Sequence, residues 1–430
     1  MLTKALRALS SISSNKLLLT GALLTSANVL GGLLGYVYQI LMGRFLSLEG
    51  FALFSAVMSL YVFFSAPLTA TFMVISRRVT ALVAKNQAYK LLGLYRAMII
   101  GMLGVGCALL FIGFGLLSIA QEYLKSSFSG PVWFFYILLA LTMVLVINNA
   151  FFQGLQKFYY LSLLALFGIV LKIVFSFGLV TNGNGASGAL AGVALATLAI
   201  IIIGCCVIYK FLITQHAPVV VNIPSAISIP SLNILPVLVA NLGFVAITQL
   251  DMVLVNWYFP SNQSALYAAT SVMGKAILYL PGGIVLALFP MVAKNHSNNI
   301  NSVHLIRYAG IATIVMCALV ATVYWFFGDW LMHFFYGEKY LDGGFLLRWY
   351  GIAIFPMALL MVAEHFLIAQ GKTIFCWAYL LILPIQFLTL SFWHQELWMV
   401  LLNIGVGGMI LTVVAYGILF WTNPVNLREI

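Results

Sequence analysis

The chain has 430 residues, 63% of them hydrophobic and only 7% charged, and a formal net charge of +11. A soluble domain would have about a quarter charged residues, so this composition excludes a soluble globular protein. The apolar runs are roughly 20 residues or longer, too long for the strands of a membrane barrel, and predict an all-α polytopic membrane protein.

Twelve apolar segments are predicted to cross the membrane as helices. Their approximate bounds are 17–42, 51–76, 97–120, 131–153, 161–180, 188–213, 231–258, 264–293, 305–327, 345–369, 373–393 and 397–421. The basic stretch before the first span is not followed by a small-residue cleavage site. We therefore expect a retained signal-anchor rather than a cleaved signal peptide.

The distribution of basic residues predicts the orientation. An even number of spans puts both termini on one side of the membrane. With that side as the cytoplasm, 14 of the 20 Lys and Arg residues lie in cytoplasmic segments, four lie outside, and Lys172 and Lys275 lie within spans. Because basic residues are retained on the cytoplasmic side, both termini are predicted to be cytoplasmic. The net charge is thereby assigned to orientation, and no nucleic-acid partner is expected.

A proline-rich stretch divides the chain near its middle. Thr214–Pro236 contains four prolines and cannot form one continuous helix. It follows the sixth span, so we predict an N-lobe over 1–213, a cytoplasmic linker over 214–230 and a C-lobe over 231–430.

The two predicted lobes also resemble each other in sequence. ALFSAVMSLYVFFSAPL, from Ala52, is similar to ALYAATSVMGKAILYLP, from Ala265, and FFQGLQKFYYLSLLA is similar to LIAQGKTIFCWAYLL at nearly the same offset. Two matches near one offset predict a parallel repeat of six helices. Its lobes would be related by a pseudo-twofold axis along the membrane normal.

Three charges are predicted at a common depth inside the membrane. Asp251 and Lys275 lie about 17–20 Å along the helices on either side of one short outer turn, and Lys172 lies at a similar depth in span five. Each would cost at least about 2.5–3.5 kcal/mol in lipid, so each needs a partner or a wet cavity. Asp251 and Lys275 form either a structural ion pair or part of a site, and both alternatives stay open here.

Polar side chains recur on single helical faces in several spans. Asn28 and Gln39 share a face of span one, Gln249 lies near Asp251 in span seven, and Tyr267 shares a stripe with Lys275 in span eight. These stripes line a wet cavity or form interhelical hydrogen bonds.

One further carboxylate lies within a predicted span, at the inner end of span ten. Glu364 is either a proton site or a side chain that reaches the cytoplasmic headgroups.

The sequence contains no pattern typical of an enzyme. It lacks a phosphate-binding glycine loop and a cluster of metal ligands, and its outer loops are short. The five cysteines lie inside apolar runs, are odd in number and lack metal-ligand spacing. No catalysis, metal or cofactor is predicted.

Several stretches resemble one transporter family. ALYAATSVMGKAILYLPGGIVLALFPMVAK resembles the helix-eight signature of polysaccharide flippases, and FFQGLQKFYYLS resembles their helix-four exit. GEKYLDGGFLLRWYGIAIFP and HFLIAQGKT resemble the region around helix ten, and LMGRFLSLEGFALFSAVMSL resembles the first turn. The chain resembles the Wzx-type flippases of the polysaccharide transporter family, within the multidrug/oligosaccharidyl-lipid/polysaccharide (MOP) superfamily.

The resemblance implies two six-helix lobes around a central cavity that opens alternately to each side. It implies an undecaprenyl-diphosphate-linked oligosaccharide as substrate, turned from the cytoplasmic to the periplasmic leaflet of the bacterial inner membrane for polysaccharide or O-antigen biosynthesis. Membrane lipids and polysaccharide-assembly proteins are the implied partners. On this interpretation, the substrate-binding residues are Lys172, Lys275, Arg44, Asn28, Gln39, Gln249 and Tyr267, and proton or cation coupling falls to Asp251 and Glu364.

The alternative functions are a multidrug antiporter and a membrane glycan polymerase or ligase. A multidrug-and-toxin-extrusion (MATE) antiporter would use carboxylates in the helices that contain Asp251 and Glu364, but span one lacks the acidic residue typical of that family. Lysines in the cavity would also repel a cationic drug and attract a diphosphate. A glycan polymerase or ligase would need a long outer loop with catalytic Arg and His, and the outer loops here are short.

Overall fold

A computed structural model of the chain describes residues 26–27, 29–85, 87–116, 122, 130–214, 234–297 and 302–422. Every regular element in these ranges is helical. The α-helices are α1 (Val29–Phe45), α2 (Leu48–Ser65), α3 (Leu68–Ala84), α4 (Leu91–Gly115), α5 (Gly130–Gly154), α6 (Phe158–Leu179), α7 (Gly185–Thr214), α8 (Ile234–Tyr258), α9 (Ser261–Lys275), α10 (Tyr279–Ser297), α11 (Val303–Tyr336), α12 (Gly343–Ala353), α13 (Phe355–Ala369), α14 (Ala378–Phe392) and α15 (Leu397–Thr422).

The described ranges confirm the prediction of an all-α polytopic membrane protein. Ten helical segments in them are long and apolar enough to cross a membrane, and α1 is a shorter apolar helix. One of the ten, Phe158–Ile213, contains both α6 and α7, which are separated by the turn Val180–Asn184 and pack against each other. The count of twelve spans and the twofold relation between lobes stay predictions.

Prolines interrupt three of the predicted spans. Pro67 separates α2 from α3, a three-residue 3-10 turn separates α9 from α10 just before Pro281, and α12 ends just before Pro356 at the start of α13. Proline has no N–H and clashes with the preceding turn, so a helix bends or restarts at such a residue. As a consequence α9 ends at Lys275, so this basic residue lies in the last turn of the helix, where a cation is favoured.

Some helices extend beyond the predicted apolar runs. The second predicted span, 51–76, stops at the first arginines, whereas α3 continues to Ala84 and includes Arg77 and Arg78. The apolar run marks the part of a helix that lipid can cover. The backbone hydrogen bonds of the helix do not depend on lipid and continue past the apolar run.

The contacts between helices divide the described chain into two compact units. The first contains α1 and α3–α7, and the second contains α2 and α8–α15. In the first unit, α3, α4, α5 and α7 enclose an apolar core that includes Val79, Leu94, Phe151 and Ile208. In the second, α2 packs against α8 and α9, and α13 packs against α10 and α15. The predicted lobe bounds remain a prediction, and 215–230 of the predicted linker lies outside the described residues.

Candidate functional site

Asp251 and Lys275 are in direct contact in the second unit. Asp251 lies on α8 and Lys275 on α9, the two helices of one hairpin. Lys275 Nζ lies 3.1 Å from each of the two carboxylate oxygens of Asp251. Asp251 is 5% exposed, and the Lys275 side chain is 16% exposed. The two charges placed in neighbouring spans by the sequence therefore form an ion pair inside the helix bundle.

Two tyrosines complete the environment of the Asp251 carboxylate. Tyr267, on α9, donates its hydroxyl proton to Asp251 Oδ2 at 2.9 Å. Tyr350, on α12, donates its hydroxyl proton to the same oxygen at 3.2 Å. Tyr350 OH donates its only proton to Asp251. In the 3.2 Å hydrogen bond between Ser271 Oγ and Tyr350 OH, the serine is therefore the donor. The Asp251 carboxylate therefore accepts from three donors, one on Lys275 and two on tyrosines.

A glycine allows this arrangement to form. A Cβ atom built on Gly274 would overlap the ring of Tyr350. Position 274 must therefore have no side chain if the ring is to reach Asp251. Lys275 is the next residue along α9. The close approach of Tyr350 to Gly274 therefore brings the tyrosine hydroxyl and the lysine ammonium group to the same carboxylate.

Glu364 lies in a different part of the second unit. It is 5% exposed on α13, and Oε2 accepts a 2.8 Å hydrogen bond from Tyr379 OH on α14. The Tyr379 ring in turn packs on α8, where a Cβ on Gly243 would overlap it. The carboxylate is thus enclosed by protein rather than extended toward headgroups. Among the residues that the structure describes, no Lys, Arg or His lies within 4.0 Å of its oxygens.

Lys172 lies in the first unit and has no carboxylate partner among the residues that the structure describes. Its Nζ lies 4.0 Å from the centroid of the Tyr38 ring, which α1 presents to α6. Within the described ranges, no Asp or Glu oxygen lies within 4.0 Å of this ammonium group. The side chain is half-buried, so part of its surface remains accessible to a ligand.

The other predicted binding residues lie apart from these contacts. Arg44 is exposed in the last turn of α1, and Gln39 is half-buried on the same helix. Gln249 is half-buried on α8, two residues before Asp251, and therefore faces another side of that helix. Asn28 lies outside the described residues.

Sequence reasoning missed the tyrosines that hold the charged groups: Tyr38, Tyr350 and Tyr379. Tyr350 occurs within a motif that carries the family resemblance and Tyr379 within the internal repeat, but their contacts cross 99 and 15 residues of sequence. A buried phenol needs a hydrogen-bond acceptor. A tyrosine within a predicted span was therefore a usable signal for a buried polar contact.

Comparison with known proteins gives a family and a fold. Residues 18–296, well over half of the chain, match the family described as polysaccharide biosynthesis protein. A search of curated proteins found no significant match.

Several solved structures share the fold at low sequence identity. An inward-facing multidrug resistance MATE family transporter of the MOP superfamily is similar with a TM-score of 0.71 and 15% identity, over 90% of this chain and 93% of that one. Lipid II flippase MurJ, in an inward closed conformation, is similar with a TM-score of 0.68 and 15% identity, over 93% and 87%. A MOP superfamily transporter from Pyrococcus furiosus gives a TM-score of 0.55 and 15% identity, over 92% and 94%. These similarities confirm the predicted MOP/MATE-like fold.

Proposed function

The chain belongs to the polysaccharide biosynthesis protein family, and on that premise we propose that it is a lipid-linked oligosaccharide flippase of the bacterial inner membrane. Its substrate would be an undecaprenyl-diphosphate-linked oligosaccharide, moved from the cytoplasmic to the periplasmic leaflet during polysaccharide or O-antigen biosynthesis. The family motifs read from the sequence agree with the match over residues 18–296. A solved protein that shares the fold is a lipid II flippase, which supports a lipid-linked substrate.

The observation that carries the proposal is the environment of Lys172. Between residues 1 and 45 and between 67 and 229 the sequence contains one acidic residue, the exposed Glu122. An ammonium group inside a membrane needs a compensating partner, and no carboxylate of the described ranges supplies one. A diphosphate is a strong, multivalent acceptor that would fill this role on arrival and leave when transport is complete.

Lys275 supports the proposal in a different way. Its charge is already matched by Asp251, at 3.1 Å, so a diphosphate would have to compete with the carboxylate for the ammonium group. Such competition allows substrate to bind without remaining trapped, since the released Asp251 retains its two tyrosine donors. The same geometry also fits a purely structural ion pair, and a double mutant separates the two roles.

Glu364 is the favoured coupling group. It accepts one hydrogen bond from Tyr379 and has no cation within 4.0 Å in the described ranges, so gain and loss of a proton would change the charge of an enclosed site. Asp251 is the second candidate, but its carboxylate already accepts from three donors. Arg44, exposed at the end of α1, would receive the headgroup late in the cycle.

The second candidate function is a cation-coupled multidrug antiporter. The observation in its favour is the same enclosed Glu364, because an uncompensated carboxylate attracts cations, and the MATE transporter fold is shared. Against it, Lys172 would repel a cationic drug.

Transport by purified protein in proteoliposomes decides between the two functions. We expect movement of a defined undecaprenyl-diphosphate-linked sugar to the far leaflet and no accumulation of a cationic dye. Dye accumulation without flipping of the lipid-linked sugar would replace the flippase assignment with the antiporter.

A further inference from the structure

The contacts of Tyr38 indicate a function for a residue that the proposed flippase mechanism does not yet use. Tyr38 is 0% exposed, although it carries a hydroxyl group and lies on α1 at membrane depth. The face of its ring lies under Lys172 Nζ at 4.0 Å. A ring face carries a negative electrostatic potential and attracts an ammonium group, most strongly where water is scarce.

A chain of hydrogen bonds fixes this ring. Ser176 Oγ donates to the carbonyl of Ala189 on α7 at 2.9 Å, because a carbonyl oxygen can only accept. The serine has a single proton, so the 3.2 Å bond between Ser176 Oγ and Tyr38 OH must be donated by the tyrosine. The ring is thereby held to α6 and, through the serine, to α7.

The backbone around the serine leaves little room for movement. A Cβ atom on Gly192 of α7 would overlap the backbone and Oγ of Ser176, so the two helices touch at this point. Ser176 and Lys172 are four residues apart on α6 and therefore project from the same face. The helix contact that fixes the serine also fixes the ring directly beneath the lysine.

We propose that Tyr38 is a positioning residue that holds the Lys172 ammonium in place for a diphosphate headgroup. This inference rests on the proposed function of Lys172. The ring attracts the Lys172 ammonium group from one side but does not neutralise its charge, whereas a carboxylate would. The N–H donors on the other side of the ammonium group are left for the diphosphate. Lys172 is in this respect unlike Lys275, whose charge Asp251 neutralises.

A series of fluorinated phenylalanines at position 38 tests the proposal. Fluorine withdraws electron density from the ring face while the shape of the side chain changes little, so folding is preserved where a smaller residue could disturb it. Tyr38→Phe is the reference, followed by the difluoro and trifluoro rings, so the loss of the hydroxyl group is common to all members. The measurement is the Kd of radiolabelled undecaprenyl diphosphate for the full chain in phosphatidylcholine nanodiscs.

We expect a graded weakening, about three- to tenfold between the unsubstituted and trifluorinated rings. In a Lys172→Ala background the series should be flat, because the ring then has no cation to hold. The same series at Phe45, whose ring packs edge-on against Phe177, should leave the Kd unchanged.

The outcomes separate this proposal from the function on which it rests. If Lys172→Ala itself binds undecaprenyl diphosphate as tightly as the unmodified chain, the headgroup role of Lys172 fails. If that variant binds weakly but the fluorinated series is flat, only the positioning role of Tyr38 fails. A graded series in the Lys172→Ala background would show that the ring acts without the lysine and would also overturn the proposal.

Discussion

Lys275 and Asp251 face each other across the α8–α9 hairpin, with the lysine Nζ 3.1 Å from both carboxylate oxygens. The carboxylate has two further donors, whereas the ammonium group has no second acidic partner within 4.0 Å in the described part of the chain. Loss of one partner therefore has different consequences from loss of both, and this asymmetry makes the pair testable.

Lys275→Ala should destabilise the protein by about 3 kcal/mol, because it leaves an enclosed carboxylate without its counterion. Thermal unfolding of the purified protein in detergent measures this loss. The double variant Lys275→Ala with Asp251→Ala should recover most of the stability. If flipping recovers as well, the pair is structural and Lys172 is the remaining headgroup candidate. Stability that falls further in the double variant would contradict the ion pair.

Lys172→Ala should reduce flipping of a lipid-linked oligosaccharide at least about tenfold, since a single charge-assisted contact contributes about 1.5–3 kcal/mol. Lys172→Arg should retain part of the activity, because the charge remains while its geometry changes. Lys210→Ala, at the far end of α7, is the matched control and should transport normally. Full transport by a variant that lacks both Lys172 and Lys275 would contradict the proposal that lysines bind the diphosphate headgroup.

Glu364→Gln should remove the dependence of transport on a proton or cation gradient, because the amide keeps the size of the side chain but cannot change charge. The rate of flipping is compared with and without an imposed gradient in proteoliposomes. Glu396→Gln, an exposed carboxylate between α14 and α15, serves as the control and should keep the gradient response of the unmodified protein. An unchanged response in Glu364→Gln would remove this residue from coupling.

Gly274→Ala should lower stability by about 1–3 kcal/mol, because the new methyl group overlaps the Tyr350 ring that holds Asp251. An alanine in a helix is otherwise favoured over glycine by up to about 1 kcal/mol. Gly283→Ala on α10 is the control, since a Cβ there meets no atom within 4 Å, and it should be neutral or stabilising. Equal melting temperatures for the two variants would speak against the close contact between α9 and α12.

The predicted orientation can be tested with two cysteines in a background freed of the native five. Asn182 lies in the turn between α6 and α7, and Gln87 lies between α3 and α4. An impermeant thiol reagent applied outside intact cells should label Asn182→Cys and leave Gln87→Cys unlabelled. The reverse pattern would invert the topology and, with it, the proposed direction of transport.

The class of the fold and the family were open to prediction because both depend on local sequence. Apolar runs of membrane length require helices, since lipid offers no partner to a backbone N–H or C=O group. The motifs that resemble polysaccharide flippases are continuous stretches, and the match over residues 18–296 confirms the family they indicated. Helix bounds were less accurate where proline breaks a span, as at Pro67, or where a helix continues past its apolar run, as at Arg77.

The sequence by itself also determined that Asp251, Lys172 and Lys275 must have partners or face a wet cavity, because charges inside a membrane are too costly to leave uncompensated. Only the tertiary structure decided which partners those are. Tyr38 meets a lysine that is 134 residues away along the chain, and Tyr350 meets an aspartate that is 99 residues away. Such contacts depend on how each helix is rotated and which neighbours it packs against. A helix that is apolar on nearly every side carries little periodicity from which to read its rotation.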